Sequence, residues 1–468
     1  MSDGGDFPAA LPHVALFPSA GMGHLTPFLR LAATLASRNC TVTLITTKPT
    51  VSAAESTHTS RFFTTHPHIR RLELEILPYT STNSTTDDPF FIQFDAVNHS
   101  VHLLHPLLSS CSPPVSAIFS DIAVAESISP VASRLFLPNY IVFTSSARFL
   151  SLFACLPQFI SETSSKFNEL HDTVEIPGLC PLPISSIPPP FFNPNHLFTK
   201  LLTSNAQFIH KAKALVLNTF DRFESESISV LNSGKFLSDL PPIVPLGPLD
   251  PWKLEDRHRH YFPWLDEQRS GSVVYVGFGS RTTVSSDQIR EMGSGLERSG
   301  RRFIWALKAS KVDKEDNEEI RAMVGDSFLE RTKNRGIIAK NWVNQEEILS
   351  HPAVGGFVSH CGWNSVMEAA RHGVPVLAWP QHGDQKVNAE VVEKAGLGVW
   401  VREWGWGGEK LVKGEEIAEK ISEMMGNEKL KNAARRIGEE ARNAWESGGS
   451  SETGLMGVLD ALKLADRT

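Results

Sequence analysis

Between Gly336 and Gln385 the chain alternates short apolar runs with polar junctions, most of them glycine-bearing, and few folds accept that rhythm. Gly336-Ile337-Ile338-Ala339 reads as a strand, and Trp342 and Gln345 stand just after it. An aromatic plate followed by an amide suits a flat heterocycle with a polar edge. The run GGFVSH, ending at His360, reads as a second, buried strand, and Cys361-Gly362-Trp363 turns out of it. A helix is expected from about Asn364-Ser365, carrying Glu368 near its start. A third apolar run, Val374 to Trp379, ends in Pro380-Gln381-His382-Gly383-Asp384-Gln385. Strand–helix–strand units of this kind build parallel sheets. A strand–glycine–helix junction aims backbone N–H groups and the positive end of the helix dipole at an anion. His360, Asn364 and Ser365 sit where that anion would be. Asp384 and Gln385, a carboxylate beside an amide at a strand end, can grip vicinal sugar hydroxyls, and ligands of open α/β sheets bind outside those ends.

The 44 positions from Trp342 to Gln385 resemble the plant secondary product glycosyltransferase box, the signature of plant UDP-sugar-dependent glycosyltransferases. The resemblance implies that Trp342 stacks on uracil, with Val343 beside it, and that Gln345 and Glu368 hold the ribose. It implies that His360, Gly362, Asn364 and Ser365 bind the diphosphate, and that Trp363, Asp384 and Gln385 meet the sugar. A terminal Gln in this family usually accompanies UDP-glucose. Asn344 departs from the family's usual Pro, at a position with no assigned ligand group.

At 468 residues the chain is too long for one ordinary domain. Its 41% hydrophobic and 21% charged residues give a globular balance, and a formal net charge of −7 leaves no basic footprint for nucleic acid. The five cysteines are odd in number and without metal-ligand spacing, which suits reduced thiols. The first twelve residues have no basic start and no apolar core, so no secretory signal is expected. No run approaches the roughly 18–20 apolar residues of a membrane span. A cytoplasmic monomer without metal or cofactor is the expectation.

In the first half, HVALFP from His13 and TVTLIT from Thr41 read as strands flanking a tight loop and a helix. Pro27 suits that helix's first turn. The loop's glycines do not follow the GxGxxG spacing, so no dinucleotide site is expected here. His24 stands in this loop. Plant glycosyltransferases carry their general base in the corresponding loop, so the resemblance makes His24 the base. A helix N-terminus would keep its ring neutral and able to take a proton. Asp121 ends the apolar run Ala117-Ile-Phe-Ser and is the candidate partner; its bland alternative is a helix N-cap. The resemblance also implies a hydroxyl toward the sugar after Ile141-Val-Phe, at Thr144 or Ser145. Met22, Phe90, Phe94, Phe149 and Phe192 could line an aromatic acceptor slot or simply be core. The stretch from Ile176 to Phe192 reads as a long surface loop, and Ala214 to Asn218 as the last strand of the first domain.

The Pro-rich segment from Leu237 to Trp252 marks a boundary. Expected divisions are residues 1–240, a linker at 241–252, a second domain at 253–445, and a helix at 446–468 returning to the first domain. The second domain opens on Ser272-Val-Val-Tyr-Val-Gly-Phe-Gly-Ser280, and the family places Ser280 near the diphosphate. Lys311 to Glu319 is charged and reads as a solvated loop. Two facing α/β Rossmann-like halves with parallel sheets constitute the GT-B architecture, with the UDP-sugar in the second half.

The loop from Ala20 to Pro27, the turn Phe278 to Thr282 and the stretch Asp88 to Phe94 resemble the plant flavonoid C-glucosyltransferase branch, which acts on 2-hydroxyflavanones and on dihydrochalcones such as phloretin. The expected reaction is inverting glucosyl transfer from UDP-glucose to an aromatic carbon, with O-glucosyl transfer as the alternative. A UDP-sugar epimerase and a non-catalytic UDP-sugar binder are more distant alternatives.

Overall fold

The computed structural model describes residues 12–78, 88–166, 172–252, 262–279, 281–282, 284–308, 320–340 and 343–465. Seven strands form a first sheet: β1 (His13–Phe17), β2 (Thr41–Lys48), β3 (Arg70–Glu75), β4 (Ala117–Asp121), β5 (Asn139–Phe143), β8 (Ala214–Leu217) and β9 (Ile243–Pro245). A small antiparallel hairpin, β6 (Thr173–Ile176) with β7 (Leu179–Pro183), stands apart from it. Six strands form a second sheet: β10 (Val273–Gly277), β11 (Arg302–Ala306), β12 (Gly336–Ala339), β13 (Val354–Ser359), β14 (Val376–Ala378) and β15 (Gly398–Trp400).

Both large sheets are parallel throughout. The central strands β1, β4, β5, β8 and β10 are buried at every residue, as expected where helices cover both faces. The edge strand β3, RRLELE, instead keeps a single buried residue, Leu74. The first sheet runs β3-β2-β1-β4-β5-β8-β9 and the second β12-β11-β10-β13-β14-β15. Strand order therefore reverses between β1 and β4, and again between β10 and β13. A crevice opens at such a switch point, beyond the strands' carboxyl ends. His24 and Asp121 follow the first switch; Gly279 and His360 follow the second.

Three sequence expectations need correction. Ala214 to Asn218 does not close the first sheet, because β9, inside the expected linker, pairs with β8. Ile176 to Phe192 is not a plain surface loop: it holds the hairpin's turn and second strand, and Ile176, Leu179, Leu182, Ile187 and Phe191 enter the core. Pro27 is not in the first turn, because its helix already starts at Met22 (Met22–Ser37). Lys311 to Glu319 lies outside the described residues.

The last helix, Ser450–Ala465, packs against β9 on the first lobe. Leu455, Val458, Leu459 and Leu462 join a core with Val14, Leu16 and Leu246. Gly454 allows the approach, since a Cβ there would lie 3.0 Å from the Pro245 carbonyl. Ser451 Oγ donates to the Gly247 carbonyl at 2.5 Å, and Trp445 Nε1 to that of Pro248 at 2.8 Å. Leu462 is fully buried. Leu462→Ala should therefore cost about 2–5 kcal/mol of first-lobe stability, read from its calorimetric unfolding transition; an unchanged transition would mean the helix does not dock.

Candidate active site

A cleft of about 2420 Å³ is lined by residues of both sheets' carboxyl ends. On the first lobe, Gly21 ends the loop after β1 with φ +92 and caps the helix. A side chain there would collide with the Phe90 ring, 2.3 Å from the Cβ position. His24 follows in the helix's first turn. Its Nδ1 lies 2.8 Å from Asp121 Oδ2 and 3.2 Å from Thr144 Oγ1. A carboxylate can only accept, so Nδ1 carries a proton, and in the neutral ring the lone pair is on Nε2. Asp121 is fully buried, and its Oδ1 accepts from Ala123 N at 2.8 Å. It is thus both a cap and the histidine's partner, one oxygen for each. The ring of Phe94 meets the imidazole edge to face at 5.1 Å.

On the second lobe, Gln345 Nε2 donates to Glu368 Oε2 at 2.6 Å and to Ser365 Oγ at 2.9 Å. Tyr275 OH donates to Gln345 Oε1 at 3.3 Å. The three residues expected around the ribose and the diphosphate's near end therefore form one polar cluster. Val343 borders the cleft while packing into the lobe's core. Trp342 and Ser280 lie outside the described residues.

After β13, Cys361 takes φ +63, an uncommon conformation for a residue with a Cβ, and Gly362 caps the helix Trp363–His372. Among the described residues no side chain caps that helix start, which leaves its first N–H groups open to a ligand. His360 lies beside it, and burial, with His382 adding to it, pushes its pKa down to about 3. Its ring stays neutral. A Cβ at Gly279 would come 2.4 Å from His360 Nε2, and one at Gly362 2.5 Å. Only glycines leave the ring room.

Asn364 reaches across the cleft. Its Nδ2 donates to the Gly23 carbonyl at 3.1 Å. Pro27 explains the vacancy: it has no N–H to give the carbonyl four residues back. A proline inside one helix thus leaves an acceptor for the other lobe, next to His24. Ser145 also crosses, donating to Asp384 Oδ2, which accepts from Asn388 Nδ2 at 2.7 Å as well. Burial pushes the Asp384 carboxyl up. Gln385 folds back: its Oε1 accepts from Gln381 N at 2.8 Å and His382 N at 3.0 Å.

One expectation fails, that for Phe192. Trp363 borders the cleft with little open area: it is 3% exposed, and its Nε1 donates to the Asn218 carbonyl at 2.8 Å. A buried indole needs such a partner, and the core supplies it. Phe192 is not on the cleft; it packs against Phe159, centroids 6.1 Å apart, while Pro188, Pro189 and Pro190 take the wall. Met22, Phe90, Phe94 and Phe149 do line it.

Asp88, Arg281 and Arg30 are among the charged groups on the cleft that had no site role from sequence. Asp88 caps the helix Pro89–Ser100 through Oδ1 and meets Arg281 Nη2 at 3.2 Å through Oδ2. The Arg281 guanidinium lies 3.5 Å from the centroid of the Phe90 ring, a cation–π contact between lobes. Asp88 directly before a proline was a readable cap signal; its distant partner was not. Arg30 is the third, and its one signal was a charge inside the apolar run FLRLAATLA.

Two parallel-sheet lobes with facing switch points constitute the GT-B architecture. A profile described as UDP-glucoronosyl and UDP-glucosyl transferase matches residues 247–435. UDP-glycosyltransferase 708C1 of Fagopyrum esculentum is 51% identical, covering 97% of this chain and 96% of the relative. UDP-glycosyltransferase CGT of Oryza sativa subsp. japonica is 45% identical, covering 97% of each. The crystal structure of LpCGTa in complex with UDP matches with a TM-score of 0.84 at 44% identity, over 97% of this chain and 99% of that one. The chain belongs to the UDP-glycosyltransferase family. No helix among the described residues is long and apolar enough to cross a membrane.

Gly362→Ala should weaken UDP binding about tenfold or more, since its Cβ displaces His360 beside the uncapped helix start. Titration calorimetry reads this directly; undiminished affinity would place the nucleotide elsewhere.

Proposed function

We propose that this chain moves glucose from UDP-glucose to an aromatic carbon of a plant phenolic, with inversion, and that His24 is the general base. The acceptor class is a 2-hydroxyflavanone or a phloretin-like dihydrochalcone. The observation that carries this reading is the His24–Asp121 pair, 2.8 Å apart, on the same cleft as the Gln345–Ser365–Glu368 cluster. The CGT label of the rice relative supports the C-glucosyl outcome.

The chemistry follows from a phloroglucinol-type ring. His24 Nε2 takes a phenolic proton, and Asp121 stabilises the imidazolium that forms. Electron density moves to the ortho carbon, which attacks the anomeric carbon as the bond to UDP breaks. The attacked ring carbon then gives up its proton to solvent while the ring oxygen takes one back from the His24 imidazolium, so the ring regains aromaticity as a phenol and one net proton is released with UDP. Negative charge growing on the departing diphosphate meets the uncapped helix start at Gly362, with His360, Asn364 and Ser365 around it. Asp384 and Gln385 are the sugar's partners in this reading, and Ser145 or Thr144 the hydroxyl beside it. Phe90, Phe94, Phe149 and Met22 form the aromatic acceptor wall. The reading needs no metal.

The same base serves O-transfer if a phenolic oxygen, not the ring carbon, faces the anomeric centre. Incubation with UDP-glucose and phloretin separates the two. The expected product gains one hexose that resists acid hydrolysis; an acid-labile product supports O-transfer. Activity should persist in excess chelator. His24→Ala should lose about 10²–10⁴-fold in kcat with UDP affinity retained. Full activity in that variant would defeat the mechanism.

A further inference from the structure

Arg30 lies on the same helix as His24, almost two turns further on, with its side chain 6% exposed. Among the described residues its guanidinium does not pair within its own lobe. Nη2 donates to Glu368 Oε1 at 2.5 Å and to Glu346 Oε2 at 3.2 Å, both in the second lobe. The two carboxylates are not equally provided for. Glu346 Oε1 also meets His372 Nε2 at 2.7 Å, and Arg371 Nε lies 3.8 Å away. Glu368 is hydrogen-bonded by neutral Gln345 on Oε2 and by Arg30 on Oε1. Among the described residues, Arg30 is the cation paired with it.

From the geometry we infer that Arg30 is a positioning residue for the donor nucleotide: a guanidinium of the acceptor-side lobe that fixes the Glu368 carboxylate for the two vicinal hydroxyls of the ribose. This rests on the reading that Glu368 grips the ribose of UDP. Among the described residues each Glu368 oxygen is held by one donor, and a carboxylate has roughly four lone-pair sites in all, so acceptor capacity remains for a diol. Burial pushes the Glu368 carboxyl up and the Glu346 charge pushes it further; Arg30, then Gln345, oppose them. Without Arg30 the carboxyl would take a proton more readily and swing free of its register. A protonated carboxyl grips a diol less well than an anion. Nucleotide affinity then belongs to both lobes, although the family profile matches only the second lobe and its junction.

The groups facing Glu368 in this cluster are Arg30 from the His24 helix, Glu346 and Gln345 from the helix Gln345–Ser350, and Tyr275 of β10 through Gln345. Arg371 and His372 stand on its own helix, and Arg371 is drawn away toward Asp250 at 2.5 Å.

The test is calorimetric binding of UDP and 2′-deoxy-UDP to the full chain between pH 6 and 8.5. Wild type should prefer UDP, with little change over that range. Arg30→Met should lose about 10–100-fold in UDP affinity and bring the UDP to 2′-deoxy-UDP ratio toward one. Its remaining UDP affinity should rise with pH as Glu368 ionises. In turnover, KM for UDP-glucose should rise while kcat changes little. Arg30→Lys, which restores charge without the fork, should recover part of the ratio. Glu346→Gln breaks the other arm of the same ion cluster and should keep the preference for UDP; equal loss there would reduce the cluster to a lobe-packing device and overturn the inference. So would an Arg30→Met protein with wild-type affinity and ratio. If Arg30→Met does not fold, a Lys variant with the full wild-type ratio together with a Glu346→Gln variant that has lost it overturns the inference, and the reverse pattern supports it. A wild type indifferent to the 2′-hydroxyl would sink the ribose reading itself, a result distinct from failure of the Arg30 variants alone.

Discussion

Two parallel sheets turn their carboxyl ends toward one gap, and polar side chains must bridge it. Arg30 reaches Glu346 and Glu368, Asn364 reaches the Gly23 carbonyl, Ser145 reaches Asp384, and Arg281 reaches Asp88. Each contact has one end on the lobe bearing His24 and the other on the lobe bearing the Gln345–Ser365–Glu368 cluster. Apolar cores are built largely within each lobe. The alignment of His24 with the Gln345–Ser365–Glu368 cluster therefore draws on these charged and amide groups, together with the Trp363–Asn218 bond and the seam where Phe220 and Phe223 join the second lobe's core; buried ion pairs are by themselves weak evidence for stability. Arg30 and Asn364 act from opposite sides: one lends the first lobe's charge to the second, the other ties the second lobe to the backbone beside His24.

Much of this was legible in the chain. Parallel sheets follow from short apolar runs separated by glycine junctions and helices. The Asp121 carboxylate at a strand end, opposite a histidine in the neighbouring strand's loop, is the kind of pairing that topology predicts once β1 and β4 are neighbours. The box from Trp342 to Gln385 located the polar cluster because its residues lie close in sequence and converge in space.

What stayed hidden shares a physical cause. A side chain's direction depends on what packs around it, and that comes from distant chain. Trp363 stands beside the sugar's expected space, but Asn218, 145 positions earlier, offers its carbonyl and draws the indole inward. Phe192 follows a turn that sends Phe191 into the core and leaves the wall to prolines. Arg30 looked like a stray charge because its partners lie more than 300 positions away. The strand β9 was hidden by Pro245 within it and Pro241-Pro242 before it, which an edge position tolerates.

The account stands on one geometry: a nucleotide held by the second lobe, its sugar turned toward the imidazole of the first. A crystal structure of this chain with UDP and phloretin bound tests it most directly. The diphosphate should sit at the start of the Trp363–His372 helix and the ribose at Glu368, with a phenolic oxygen of the acceptor within about 2.6–3.2 Å of His24 Nε2. A nucleotide seated away from Glu368, or an acceptor whose hydroxyls all lie beyond the reach of His24, would contradict it.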